Sequence, residues 1–113
     1  MLARLMGLRT IDPATPHRRM QEERLAVFDV NSRGSWLAAH VPGARHLDLE
    51  TFSESDLPAE RDQALVFYCS NPLCRKAPLA ARRAGKMGYG NAHVLSAGIA
   101  GWLAARLPTE SGG

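Results

Sequence analysis

The sequence predicts an α/β fold with a central, mostly parallel sheet flanked by helices, and three observations carry the prediction. First, Leu25–Val30 and Ala64–Cys69 are near-continuous apolar runs. They are long enough for strands, too short for helices, and patterned as strands covered on both faces. Second, Ala77, Ala80, Ala81, Ala84 and Met87 recur at helical spacing, while Arg82, Arg83 and Lys86 take the opposite face. Third, strand-like and helix-like segments alternate along the chain, the order expected of βαβ units. At 113 residues the chain is read as one domain, residues 1–113, with its core at about 9–108 and a short flexible tail at 109–113.

The elements follow in order. Asp12-Pro13 has the form of a helix start, aspartate as cap and proline at the first helical position, and a polar surface helix is expected to about Glu23. Leu25–Val30 is the first buried strand. Ser32–Ala39 is expected as a short helix with Trp36 and Leu37 facing inward, stopped by a turn at Pro42-Gly43. Ala44–Leu47 follows as a short strand, and Glu50–Asp62 reads as a polar loop broken by Pro58. Ala64–Cys69 is the clearest strand of the chain. The alanine-striped helix starts at Ala77 and ends at Gly88-Tyr89-Gly90, since glycine commonly closes a helix. His93–Leu95 is the last strand. Ile99, Trp102 and Leu103 are expected on one side of a final helix.

Composition narrows the function. A net charge of +3 favours small anions, but with only 6% aromatic residues and no basic stripe the chain lacks the footprint of nucleic-acid binding. No apolar run approaches the ~20 residues of a membrane helix, and the start at Met1–Leu8 is too short and too interrupted by Arg4 for a secretory signal. Two cysteines are too few for a disulfide scaffold, so a cytoplasmic location is expected, without excluding export of a longer precursor. The partners expected are small molecules, with the chain a monomer or weak homodimer and no cofactor.

The stretch richest in chemistry is Phe67-Tyr-Cys69 followed by Ser70-Asn-Pro-Leu-Cys74-Arg75-Lys76. Cys69 stands at the carboxyl end of a predicted buried strand, where open α/β sheets collect their chemistry. The free amides and dipole at the start of the following helix favour an anion there, whether a thiolate or an oxyanion substrate. Arg75 and Lys76 are placed to bind such an anion and to lower the thiol pKa. Cys74 is either a resolving thiol acting on Cys69 or a simple loop residue. Metal binding is not expected, because a cysteine pair is two ligands short of a usual zinc site. His40 reads as a structural histidine beside the Pro42-Gly43 turn and Asp29 as a residue that fixes loop geometry.

Three stretches together resemble the rhodanese-like family. They are Val27-Phe-Asp-Val30 with His40-Val-Pro-Gly-Ala44 ten residues after it, Phe67-Tyr-Cys69, and Gly88-Tyr89 through Gly98-Ile-Ala-Gly-Trp102. The loop is similar to that of a bacterial subgroup with a Cys-x-Asn-Pro-x-Cys pattern. The resemblance implies a three-layer rhodanese-like sandwich and a sulfurtransferase that moves sulfane sulfur from a small anionic, thiosulfate-like donor to a thiol acceptor. It implies Cys69 as the persulfide carrier, with Ser70, Asn71, Leu73, Cys74, Arg75 and Lys76 as the anion-binding loop and Asp29 and His40 in support.

The loop also departs from the family. Five residues and no glycine separate Cys69 from Arg75, where the common form has four including a glycine. Asn31 stands where an arginine is frequent, and Ser35 where glutamate is frequent. The five-residue spacing is similar to that of rhodanese-fold phosphatases and arsenate reductases, although Lys76 is a poor substitute for the hydroxyl residue a phosphatase wants. A Cys69/Cys74 dithiol redox enzyme or oxyanion reductase therefore stands as an alternative, as does a non-enzymatic binding module.

Overall fold

The computed structural model describes residues 9–11, 25–71 and 73–112. They form a five-stranded sheet of order β1-β5-β4-β2-β3 in which every pairing is parallel. The strands are β1 (Arg9–Ile11), β2 (Ala26–Asp29), β3 (Arg45–His46), β4 (Leu65–Tyr68) and β5 (Ala92–Leu95). The helices are α1 (Arg33–Ala38), α2 (Lys76–Lys86) and α3 (Gly98–Ala104), with a single 3-10 turn at Glu54–Asp56. This is the predicted mixed α/β architecture. The helix expected at 12–23 lies outside the described residues. No described helix is long and apolar enough to cross a membrane.

β4 is the middle strand, and its apolar run is explained by cover on both faces. Leu65, Phe67 and Cys69 pack with Ala77, Ala80, Ala81 and Ala84 of α2. Val66 and Tyr68 point the other way, against Trp102 of α3 and against Val41 and Ala44 of the connection before β3. Alternation with period two thus decides which layer each side chain joins, and a slip of one residue would swap the layers. The four alanines let α2 approach the sheet closely. Burial of a side chain such as Phe67 stabilises the fold by about 3 kcal/mol.

Several local expectations hold at residue level. The short helix expected at Ser32–Ala39 forms as α1, with Ser32 as its cap, the hydroxyl accepting from Ser35 N at 3.2 Å. Val41-Pro42-Gly43-Ala44 closes through Ala44 N to Val41 O at 2.9 Å, with Gly43 at φ 79°, the left-handed position a type II turn requires.

Others are corrected. The three-residue edge strand β1 was not expected. Leu37, expected to face inward with Trp36, is exposed while Trp36 is half-buried, and Leu103, expected on one side of the last helix with Trp102, is exposed while Trp102 is fully buried. Helices of six and seven residues have too few turns for spacing to define an inner face. Arg83, expected on the solvated face of α2, instead donates to the carbonyls of Leu49, Glu50 and Phe52 and lies over the Phe52 ring, fixing the 49–52 loop to the helix. Within the tail read at 109–113, Glu110 and Gly112 make backbone hydrogen bonds to the rest of the chain. His40 and Glu110 exchange backbone bonds at 2.9 and 2.8 Å, and Gly112 N donates to Leu37 O at 2.8 Å.

Candidate active site

The strand order sets where a site can form. The chain leaves β2 outward through α1 to β3, and leaves β4 in the opposite direction through α2 to β5. The loops after β2 and β4 therefore diverge, opening a crevice at the carboxyl ends of adjacent strands, the usual ligand position of open α/β sheets. A groove of about 560 Å³ adjoins this place over the ends of β2 and β3, lined among others by Asn31, Ser32, Arg33, His46, Asp48 and, from the start of α2, Lys76.

Cys69 follows β4 directly and is 2% exposed, facing the α2 layer. Its loop is shaped by Asn71, whose side-chain oxygen accepts from Leu73 N at 2.9 Å and whose carbonyl accepts from Cys74 N at 3.1 Å. Asparagine suits such a turn because its side chain substitutes for a backbone acceptor two residues on. The turn carries Cys74 back to Cys69, with Cα atoms 6.3 Å apart, and the two sulfur atoms are joined as a disulfide. That separation lies within the range a disulfide accepts. The pair borders a small cavity of about 10 Å³ on the β5 side, room for about one water molecule.

The predicted site residues divide into two groups. Cys69, Asn71 and Cys74 meet around the sulfur atoms, and Ser70 links the loop to its neighbour. Leu73 does not join them: its side chain is 86% exposed and its amide is occupied by Asn71. The Cys74 amide is likewise occupied. Lys76 opens α2 and lines the groove, whereas Arg75 is exposed at the capping position with a helical backbone. The helix leaves the Lys76 and Ala77 amides without an intrahelical acceptor, and Pro78 has no amide to leave.

Asn31, noted in the sequence only as a departure, proves to be the junction of the site. Its amide donates to Asp29 Oδ1 at 2.7 Å, its carbonyl accepts from His46 Nε2 at 2.8 Å, and its Oδ1 accepts from Ser70 Oγ at 2.8 Å. The loops after β2 and β4 are thereby tied together. Arg33 is the other groove residue that the sequence did not single out. Its place at the first position of a capped helix was the available signal.

Asp29 fixes this geometry from a fully buried position. Burial pushes its carboxyl above the ordinary value of 3.8, and the hydrogen bond from Asn31 offsets only part of that push. Burial, then the nearby Asp29 charge, also raises the Tyr68 phenol, whose oxygen accepts from Val41 N at 3.0 Å. Asp29 thus holds its proton more tightly folded than unfolded. Its contribution to stability is full below pH 3.8 and is lost as pH rises through the raised folded value. The stability of the wild type relative to Asp29→Asn, read from denaturation midpoints, is therefore expected to be greatest at the acid end of that window and to decline with rising pH.

His40 sits on the α1–β3 connection. Its Nδ1 donates to Trp36 O at 2.6 Å, its ring stacks on Trp36 at 4.4 Å, and its Nε2 lies 4.0 Å from Glu110. These contacts make it a support for the turn and tail.

The last contribution comes from α3. Its first free amides, those of Ile99 and Ala100, donate to Cys69 O at 2.9 Å and Ser70 O at 3.0 Å. The helix start therefore clamps the cysteine loop. Gly98 permits the approach: it has φ +66°, and a Cβ there would lie 2.6–2.7 Å from backbone atoms of residues 69–71.

Fold and site together define a parallel α/β domain with a cysteine centre at its switch point. The chain belongs to the rhodanese-like domain family, which it matches over residues 12–105. Among solved structures it is similar to a protein from Bacillus halodurans, with TM-score 0.83 and 22% identity over 91% of this chain and 77% of that one. It is also similar to the thiosulfate sulfurtransferase from Pseudomonas aeruginosa, with TM-score 0.78 and 29% identity over 93% of this chain but only 20% of that larger one. A third similar structure, from Rhodopseudomonas palustris, is described as a possible tyrosine phosphatase, with TM-score 0.74 and 23% identity over 93% of this chain and 86% of that one. No curated protein matches the sequence.

Proposed function

We propose that the protein is a sulfurtransferase in which Cys69 accepts sulfane sulfur from a thiosulfate-like donor and holds it as a persulfide. The observation that carries this reading is the position of Cys69, at the carboxyl end of the central parallel strand beside the start of α2. Family membership and the likeness to a thiosulfate sulfurtransferase support the same class of reaction.

Once a thiol reductant has opened the Cys69–Cys74 disulfide, the Cys69 thiolate attacks the outer sulfur of thiosulfate. The sulfur–sulfur bond of the donor breaks, its electron pair leaves with sulfite, and Cys69 becomes Cys–S–S⁻. Charge and atoms balance without a metal or a proton. The helix-start amides and Lys76 offset the negative charge that collects in the loop. A thiol acceptor then attacks the outer sulfur and regenerates the Cys69 thiolate.

Lys76 takes the role of the family's arginine in this reading, because it lines the groove. Lys76→Gln is expected to raise KM for thiosulfate about two- to fivefold, the usual worth of an exposed charge contact. Arg75→Gln should change it less, as initial rates across donor concentration will show. The reaction itself is tested by mixing reduced protein with excess thiosulfate and following sulfite. A burst of roughly one sulfite per chain is expected of a covalent sulfur carrier, whereas no sulfite above the buffer blank would refute the proposal.

One observation favours a second reading. The Cys69–Cys74 disulfide is the product expected of a dithiol reductase. That reading predicts disulfide formation with an oxyanion substrate in the absence of any sulfane donor.

A further inference from the structure

We infer that Cys74 discharges the sulfane sulfur from Cys69 as hydrosulfide, so that the domain can reduce sulfane sulfur as well as transfer it. The inference rests on the Cys69 persulfide proposed above and concerns the fate of that sulfur.

Reach is the first argument. The Asn71 turn folds the loop so that the Cys69 and Cys74 sulfur atoms come within bonding contact. A persulfide on Cys69 would therefore form beside a second thiol of the same chain, and a nucleophile held in position competes strongly against one arriving from solution.

Access is the second argument. With the pair joined as a disulfide, Cys69 is 2% exposed and the cavity beside it measures about 10 Å³, so a thiol from solution meets Cys74 first. Cys74 is half-buried and nearer the surface. In the disulfide state the two sulfurs thus have unequal surroundings, Cys69 the more enclosed and Cys74 the more open to an incoming thiol.

The step balances. The Cys74 thiol gives its proton to the departing sulfur as its own sulfur attacks the Cys69 Sγ. The bond from Sγ to the outer sulfur breaks with its electron pair, leaving hydrosulfide and the Cys69–Cys74 disulfide. Cys74 is oxidised and the sulfane sulfur is reduced. A reducing dithiol then restores the pair. Its first thiolate attacks the more accessible Cys74 sulfur and expels Cys69 as thiolate at the start of α2, where an anion is favoured. Its second thiol resolves the mixed disulfide. The net reaction is thiosulfate plus dithiol to sulfite, hydrogen sulfide and the cyclic disulfide of the reductant.

The test compares pre-reduced wild type and Cys74→Ser under anaerobic conditions, freed of reductant and mixed with thiosulfate. Sulfite, sulfide and intact mass are followed over time. Both proteins are expected to release sulfite, and that burst also shows that the variant retains a folded site. Cys74→Ser should hold a gain of about 32 Da at least tenfold longer than the wild type. The wild type should end about 2 Da below its reduced mass, with roughly one sulfide released per chain, as a closed disulfide requires. Wild type that keeps the added sulfur as long as the variant does, without sulfide, overturns the inference while leaving the persulfide intact. Loss of 2 Da at the same rate without thiosulfate overturns it too. Absence of sulfite from both proteins refutes the underlying persulfide, and the inference falls with it.

Discussion

Cys69→Ser is expected to lower thiosulfate-dependent sulfite release at least about a thousandfold, the scale on which removing a nucleophile acts. A serine hydroxyl holds its proton across the working range and forms no persulfide equivalent, so the remaining groove and cation have no covalent step to assist. The loss is chemical more than structural. The substitution keeps the size of the side chain, and leaving a buried hydroxyl without a partner costs about 1–3 kcal/mol. Cys69→Ala removes that polar penalty and should be equally inactive. Sulfite assays on both variants, with denaturation midpoints alongside, separate the two effects. Activity above one tenth of wild type in either would remove Cys69 from the reaction.

Gly98→Ala is expected to be the most damaging change outside the cysteine pair. An alanine at φ +66° costs about 1–2 kcal/mol from backbone sterics. Its Cβ would also press on the backbone of residues 69–71 at 2.6–2.7 Å, and forced contacts of this kind typically cost about 1–3 kcal/mol. Together these give a destabilisation of about 3 kcal/mol. The strain falls on the clamp made by Ile99 N and Ala100 N on the carbonyls of Cys69 and Ser70. Moving α3 away to relieve it would release the cysteine loop, so activity should fall further than the fraction of folded protein does. Gly34→Ala is the control: a Cβ there meets nothing within 4 Å, and its stability should change by less than about 1 kcal/mol. Urea midpoints and sulfite bursts for the two variants check both statements.

The sheet was legible wherever a strand is covered on both faces. Ala26–Asp29 and Leu65–Tyr68 announce themselves as apolar runs because every position on them but the partly buried Ala26 is buried. The α2 stripe and the Val41–Ala44 turn were equally plain, because local chemistry alone dictates them. Arg9–Ile11 was not, since a three-residue edge strand gains its identity only by pairing with β5.

The site divides along the same line. The place of Cys69 follows from its strand, and the sequence delivers it. Asn31 joins two loops 39 residues apart through Ser70, a contact that no local pattern encodes. Gly98 was visible as part of a family-like segment, but its reason is a close approach between backbones that only the folded chain reveals. Arg83 was misplaced for a related cause: helical spacing put it with the charged face, whereas the carbonyls it binds come from a loop more than 30 residues away.

The most direct test of the account is to find where sulfur lands. Reduced Cys74→Ser protein, which lacks the resolving thiol, would be given thiosulfate labelled in its outer sulfur, digested without reductant and mapped by mass spectrometry. The account predicts roughly one labelled sulfur per chain, on the peptide containing Cys69 and removable by cyanide, as a persulfide requires. No label on that peptide, with the fold intact, would contradict it.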